Sequence, residues 1–227
     1  MLRFISGLLH QAAATVIQFL RGNYLESTQS LSPKSHEMKN IVILGGSYAG
    51  ISTAHRILKQ AKTSSFKISL VSPNTHLYWN VASPRGILPG QLADDRLFLP
   101  IASGFARHSS DRFELILGTA EKVNVDAKTV EISTSQGKQT LSYDILVLAT
   151  GSRTDGNTPF KNLGSTEATR DAVHDLQERV AKAKTIVVGG AGVTGVEISG
   201  ELSFEYKRKK EIILVGYTPS PGSIISL

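Results

Sequence analysis

The 227-residue sequence contains no cysteine. That excludes disulfides, thiolate-held metals and a Cys-x-x-Cys redox pair, so any electron transfer has to run through a bound group. Its six histidines fall in no metal-ligand spacing, and no His-Glu-x-x-His is present. Residues 1–20 make a poor transmembrane helix, because Arg3, His10, Gln11 and Gln18 interrupt them. The formal charge of +6 is modest. Its one dense cluster is Lys207-Arg208-Lys209-Lys210, which lacks interleaved aromatics. It reads as a solvated loop or helix end, and no nucleic-acid partner is expected.

The first segment has a character of its own. Leu2, Ile5, Leu8, Leu9, Ala12, Val16, Phe19 and Leu20 recur near the helical period, Arg3 and Arg21 are basic, and no acid precedes Glu26. This pattern fits a mitochondrial presequence or a helix lying on a membrane surface through residues 1–20. The alternative is an extra helix packed on a cytoplasmic domain. Leu2 stands where a myristoylation signature needs glycine. The Ser-rich stretch that follows reads as a linker, so residues 1–37 form a targeting or membrane helix plus linker.

Two later segments share one pattern. Ile41-Val42-Ile43-Leu44 runs into Gly45-Gly46-Ser47-Tyr48-Ala49-Gly50, and Thr185-Ile186-Val187-Val188 runs into Gly189-Gly190-Ala191-Gly192-Val193-Thr194-Gly195-Val196-Glu197. Each reads as a buried strand, a tight glycine turn and the start of a helix. A dinucleotide pyrophosphate needs that arrangement: small residues let the backbone approach phosphate, and the helix N-terminus offers free N–H groups to the anion. A single copy also suits a plain strand-to-helix packing turn. Two copies in one chain point to two nucleotides held close together, the layout of an electron-transfer flavoenzyme.

Between the copies, Phe66–Val71 reads as the strand that completes a first β-α-β unit. The stretch from Asn74 to Pro100 is loop-rich and punctuated by prolines, and Phe98 to His108 is expected to be a helix. Phe113–Leu117 reads as a strand. Val123–Val125, Thr129–Ser133 and Gln139–Ser142 form an antiparallel meander, and Asp144–Ser152 is a buried strand ending in small residues. Thr169–Lys182 is an amphipathic helix. The second copy then supplies a helix to about Tyr206 and a strand at Ile212–Val215. The second unit is thus expected to hold two strands, with no further domain after Tyr217.

Four motifs occur in order: Gly45 to Gly50, Tyr78-Trp79-Asn80-Val81-Ala82-Ser83-Pro84-Arg85, Leu148-Ala149-Thr150-Gly151-Ser152 and Gly190 to Glu197. On them the chain resembles pyridine-nucleotide-disulfide oxidoreductase-like flavoproteins, and within these the apoptosis-inducing-factor-like, mitochondrion-associated branch related to type II NADH dehydrogenases. The resemblance covers roughly residues 38 to 217. It implies an α/β fold, with a Rossmann-like FAD-binding domain carrying the meander at 38–165 and an incomplete Rossmann-like NAD(P)-binding unit at 166–227.

The resemblance places FAD on Gly45, Gly46, Ser47, Tyr48, Ala49 and Gly50, with Ser47 in the second glycine position. It places Arg85 near the flavin or its phosphates, Trp79 and Asn80 in the flavin pocket, Val123 and Lys122 by the adenine, and Ala149, Thr150 and Gly151 along the FAD. It places NADH or NADPH on Gly190, Gly192, Thr194 and Gly195, and Glu197 near the nicotinamide. Glu197 also suits an ordinary first-turn glutamate. Ser72 stands where a ribose-binding acid is expected, and the strand after the second helix ends at Gly216 without one.

The mechanism implied is hydride transfer from NAD(P)H to flavin and electron delivery to a quinone or other small acceptor, with no catalytic side chain assigned. Relatives carry a further Gly-Asp segment and a third domain, so the chain is expected to be C-terminally truncated. The competing expectation is a catalytically inactive nucleotide-binding or signalling remnant.

Overall fold

The computed structural model describes residues 38–60, 66–154, 156, 158–216 and 224–226. The expected N-terminal helix and linker lie outside the described residues. In chain order the elements begin with β1 (Lys39–Leu44), α1 (Tyr48–Gln60), β2 (Phe66–Ser72) and β3 (His76–Tyr78). A 3-10 turn at Asn80–Ala82 precedes α2 (Ser83–Gly86), α3 (Asp94–Leu97), β4 (Phe98–Pro100) and α4 (Ile101–Phe105). Next come β5 (Phe113–Leu117), β6 (Thr119–Asn124), β7 (Thr129–Thr134), β8 (Gly137–Ser142) and β9 (Ile145–Leu148). The last are α5 (Thr166–Lys182), β10 (Thr185–Gly189), α6 (Val193–Tyr206), β11 (Glu211–Val215) and β12 (Ile224–Ser226).

The described chain divides into two compact units. One comprises residues up to Leu77 and Pro100–Gly151; the other comprises Tyr78–Leu99 and the chain from Ser152. Most of the proline-punctuated stretch, Tyr78–Leu99, therefore groups with the second unit, and the sequence boundary drawn at residue 165 falls inside that unit.

In the first unit, β5-β2-β1-β9 form a four-stranded sheet whose described pairings are all parallel. A central parallel strand is covered on both faces and so reads as an unbroken apolar run. Ile41 and Ile43 pack with Ala54, Ile57 and Leu58 of α1 and with Ile101 and Phe105 of α4. Val42 and Leu44 point the other way, against Val130 and Ile132 of the meander β6-β7-β8. Each of the larger aliphatic and phenylalanine side chains, removed from water, contributes roughly 1.5–3 kcal/mol. Alternation along β1 thus joins a helical layer to a sheet layer.

The expected helix over Phe98–His108 is corrected here. Phe98–Pro100 is strand, and only Ile101–Phe105 is helical. Pro100 is the reason: it disfavours helical backbone at Leu99 and sits as the N-cap of α4 with φ −58° and ψ 122°.

In the second unit β10 and β11 pair in parallel. A third strand that the sequence did not announce, β12, pairs antiparallel with β11, Leu214 opposite Ile225. Ile198 and Leu202 of α6, Val180 of α5 and Ile212 of β11 enclose Ile87 and Leu88. Helix α5 starts where the Ser165 hydroxyl accepts the Ala168 N–H at 3.0 Å, satisfying one of the free donors of a helix start.

Candidate functional site

Both glycine segments fold into the same turn, bond for bond. The Gly45 N–H donates to the Val71 carbonyl at 2.9 Å, and the Gly190 N–H donates to the Val215 carbonyl at 2.7 Å. Each turn is thereby tied to the end of the next strand. The Ile51 N–H then closes the first helical bond on the Ser47 carbonyl at 2.9 Å, as Val196 does on Gly192 at 3.0 Å. Ser47 and Gly192 are therefore equivalent, and serine is tolerated because that position needs no left-handed backbone: at Gly192 φ is −77°. The first glycine of each turn has positive φ, 118° at Gly45 and 107° at Gly190, a region that side chains disfavour.

The third glycines answer to sterics. A Cβ on Gly50 would stand 1.8 Å from the Gly45 carbonyl oxygen, and a Cβ on Gly195 the same 1.8 Å from that of Gly190. These two residues are demanded by the turn itself. Gly192 is different: a Cβ there would meet no protein atom within 4 Å. Its small size leaves space in front of the N-terminus of the 14-residue α6, whose first-turn N–H groups receive no side-chain cap from residue 192. That open cradle fits a pyrophosphate.

In the first unit the neighbours of the turn are equally specific. A Cβ on Gly45 would lie 2.2 Å from the Ala149 carbonyl oxygen and 3.1 Å from the Thr150 nitrogen, so Ala149 and Thr150 run beside the turn. Tyr48 and Ala49 open α1, a 13-residue helix with no acid in its first turn. Gly46 has little freedom, because a Cβ there would come within 2.5 Å of the Ser72 hydroxyl.

Ser72 donates to the Asn74 carbonyl at 2.9 Å and accepts the Asn74 N–H at 3.1 Å. Its hydroxyl is thus already engaged where a ribose contact was expected. The Asn74 side-chain oxygen beside it is buried with no hydrogen-bond partner. That orphaned acceptor suits a ligand hydroxyl and had no signal in the sequence. Val123 lies on β6, an edge strand of the meander, with its side chain packed on the core shared with Val130; Lys122 is exposed.

Arg85 and Glu197 belong to one cleft in the second unit. The cleft has a volume of about 600 Å³ and is lined by Val81, Arg85, Glu197, Glu201 and Phe204 among others. The Arg85 guanidinium donates to Glu201 at 3.0 Å and to Gln91 at 2.9 Å, and Gln91 donates to Glu205 at 2.9 Å. Glu197, Glu201 and Glu205 are four apart and share one face of α6. Glu201, Gln91 and Glu205 were missed from the sequence; the four-residue spacing of the glutamates was the available signal. Glu197 and Thr194 are exposed. Asn80 spends its amide on the Phe160 carbonyl at 3.0 Å, and Trp79 is 42% exposed.

No group of three or more His, Cys, Asp or Glu suited to a metal occurs among the described residues. No described helix is long and apolar enough to cross a membrane.

Known proteins match this chain over most of its length. The oxidoreductase ptaL of Pestalotiopsis fici is 50% identical over 186 residues, covering 81% of this chain and 50% of that protein. The type II NADH:quinone oxidoreductase of Staphylococcus aureus is 30% identical over 188 residues, covering 74% of this chain and 44% of its own length. The chain thus spans about half the length of these relatives. Among solved structures, the sulfide:quinone oxidoreductase of Aquifex aeolicus superposes with a TM-score of 0.61 at 24% identity, over 81% of this chain and 44% of that one, a likeness of fold. A family model, that of pyridine nucleotide-disulphide oxidoreductases, matches residues 39–222. With both turns inside that span, the chain belongs to the pyridine nucleotide-disulphide oxidoreductase family.

Proposed function

We propose that this chain is the nucleotide-binding part of an FAD-dependent oxidoreductase that takes electrons from NADH or NADPH and delivers them to a quinone or other small acceptor. The observation that carries this reading is the doubled turn: two copies share their bonds, and in each a Cβ on the third glycine would stand 1.8 Å from the carbonyl oxygen of the first. The chemistry that bound FAD would supply is acceptance of hydride from reduced nicotinamide and release of electrons to the acceptor.

The residues of the chain bind and orient. The first-turn N–H groups of α1, with Ser47 and Gly45 to Gly50, hold the FAD pyrophosphate, and the Asn74 side-chain oxygen accepts from a hydroxyl of the same cofactor. The Ala149–Gly151 backbone flanks it. Gly190 to Gly195 and the start of α6 hold the nicotinamide nucleotide, and Glu197 and Arg85 face the space in their cleft. Quinone as acceptor is favoured by the relatives named for quinone reduction and by the absence of cysteine, which leaves no dithiol relay in this chain. Residues 1–20 serve as the mitochondrial-targeting or membrane-surface segment in this reading.

Purification of the full chain with added FAD tests it. A yellow protein whose flavin absorbance bleaches under anaerobic NADH or NADPH, and recovers on adding a short-chain quinone, is the expected result. A preparation that binds nucleotide but never bleaches favours the alternative of a nucleotide-binding module without turnover. A colourless protein with no nucleotide affinity removes both. For the N-terminal segment, a reporter carrying residues 1–37 is expected on mitochondria or membranes; a diffuse cytosolic signal refutes that assignment.

A further inference from the structure

The repeat between the two turns extends one residue further than the glycines, and the difference there bears on which nucleotide the second turn accepts. Val71 and Val215 are the strand residues whose carbonyls receive the Gly45 and Gly190 N–H groups. The next residues, Ser72 and Gly216, are therefore equivalent, as are Gly46 and Ala191. In both copies these two positions touch. A Cβ on Gly46 would fall 2.5 Å from the Ser72 hydroxyl, and a Cβ on Gly216 would fall 2.6 Å from the Ala191 methyl. Each copy allows one side chain at the contact, and the copies make opposite choices. The first copy keeps a side chain at the strand end and glycine in the turn; the second keeps alanine in the turn and glycine at the strand end.

Position 216 is thus where a side chain would project onto the second turn. In dinucleotide-binding folds a carboxylate at the end of this strand hydrogen-bonds the adenosine ribose 2′-hydroxyl and repels a 2′-phosphate, whereas arginine nearby does the reverse. Here neither is present. From Ile212 to Leu227 the sequence has no charged residue, and from Thr185 to Val196 it has none either. Ile212–Gly216 and Thr185–Val196, which border this end of the β10-β11 pair, are neutral.

We infer that the second turn accepts NADH and NADPH without discriminating between them, because the Ala191–Gly216 contact leaves position 216 without the carboxylate that would select on the 2′-position. The inference rests on the nucleotide-binding reading above. Position 216 is the specificity-determining residue, and Ala191 is the residue that constrains it.

Isothermal titration of the full chain with NADH and with NADPH tests this independently of turnover. Dissociation constants within about threefold of each other are expected. The Ala191→Gly/Gly216→Asp double substitution reproduces the size arrangement of Gly46 and Ser72 and adds the carboxylate. With circular dichroism unchanged, it is expected to favour NADH by about tenfold. A wild-type preference of about tenfold or more for either nucleotide overturns the inference, as does a folded double variant that remains indifferent. Failure of the wild-type chain to bind either nucleotide overturns the proposed function and this inference with it.

Discussion

Glycine is used for two different reasons within one turn, and single substitutions separate them. Gly195 is required by protein packing, since its Cβ would stand 1.8 Å from a carbonyl oxygen. Gly192 borders open space, and its φ of −77° and ψ of −179° suit any residue. Gly192→Ala is therefore expected to cost about 1 kcal/mol or less, the ordinary price of alanine at an N-cap. Gly195→Ala is expected to cost more, on the order of 3 kcal/mol. Chemical denaturation measures both. Titration with NADH is expected to show a weakened Gly192→Ala variant despite its stability; undiminished affinity would mean that the space in front of α6 is not a phosphate cradle. The glycine pattern was legible in the sequence because these constraints are local. The orphaned Asn74 oxygen was not, because its burial depends on how the end of β2 is covered.

At the scale of elements, the link from α6 to β11 stands out for its residues. The Lys209 N–H closes on the Tyr206 carbonyl at 2.8 Å, and the two residues between, Lys207 and Arg208, have φ of 41° and 69°. Two successive positive φ values are the pattern of a type I′ turn, which favours Asn-Gly. Replacing Lys207-Arg208 by Asn-Gly is expected to stabilise the protein by about 1 kcal/mol; a lower melting temperature would show that the cations contribute more than the backbone strain costs. Lys210 follows the turn and donates to the Ala181 and Ala183 carbonyls at 2.7 and 2.6 Å, so part of the basic run anchors the end of α5.

Strands such as Ile41–Leu44 and Ile212–Val215 could be read from apolar runs alone. The pairing of Arg85 with Glu201 could not, because the partners are 116 residues apart. Nor could β12, whose three residues give no periodicity and acquire meaning only from the open edge of β11.

For the molecule as a whole, acidification is expected to act through the first unit. His55 is stacked on Phe105 at 4.1 Å. Burial, with help from Arg107 and His108, holds its pKa below the ordinary 6.5. His108 is lowered as well, by burial first and then by Arg107 and Arg112. A histidine whose folded pKa is lowered lets the unfolded chain take the proton first. Its contribution is thus complete above pH 6.5 and is lost as pH falls from there through the lowered value. The melting temperature should drop between pH 7.5 and 5.5, and His55→Phe, which keeps a ring against Phe105, should make that drop smaller. An unchanged slope in the variant would assign the effect elsewhere.

The interleaved division of the chain also has a consequence for biosynthesis. Residues 78–99 leave the ribosome early, but Ile87 and Leu88 pack on Val180, Ile198 and Leu202, which are made roughly a hundred residues later. At about 5–20 residues per second, that segment waits on the order of 5–20 s for its partners. Until then these two adjacent aliphatic side chains lack the partners that cover them in the folded unit.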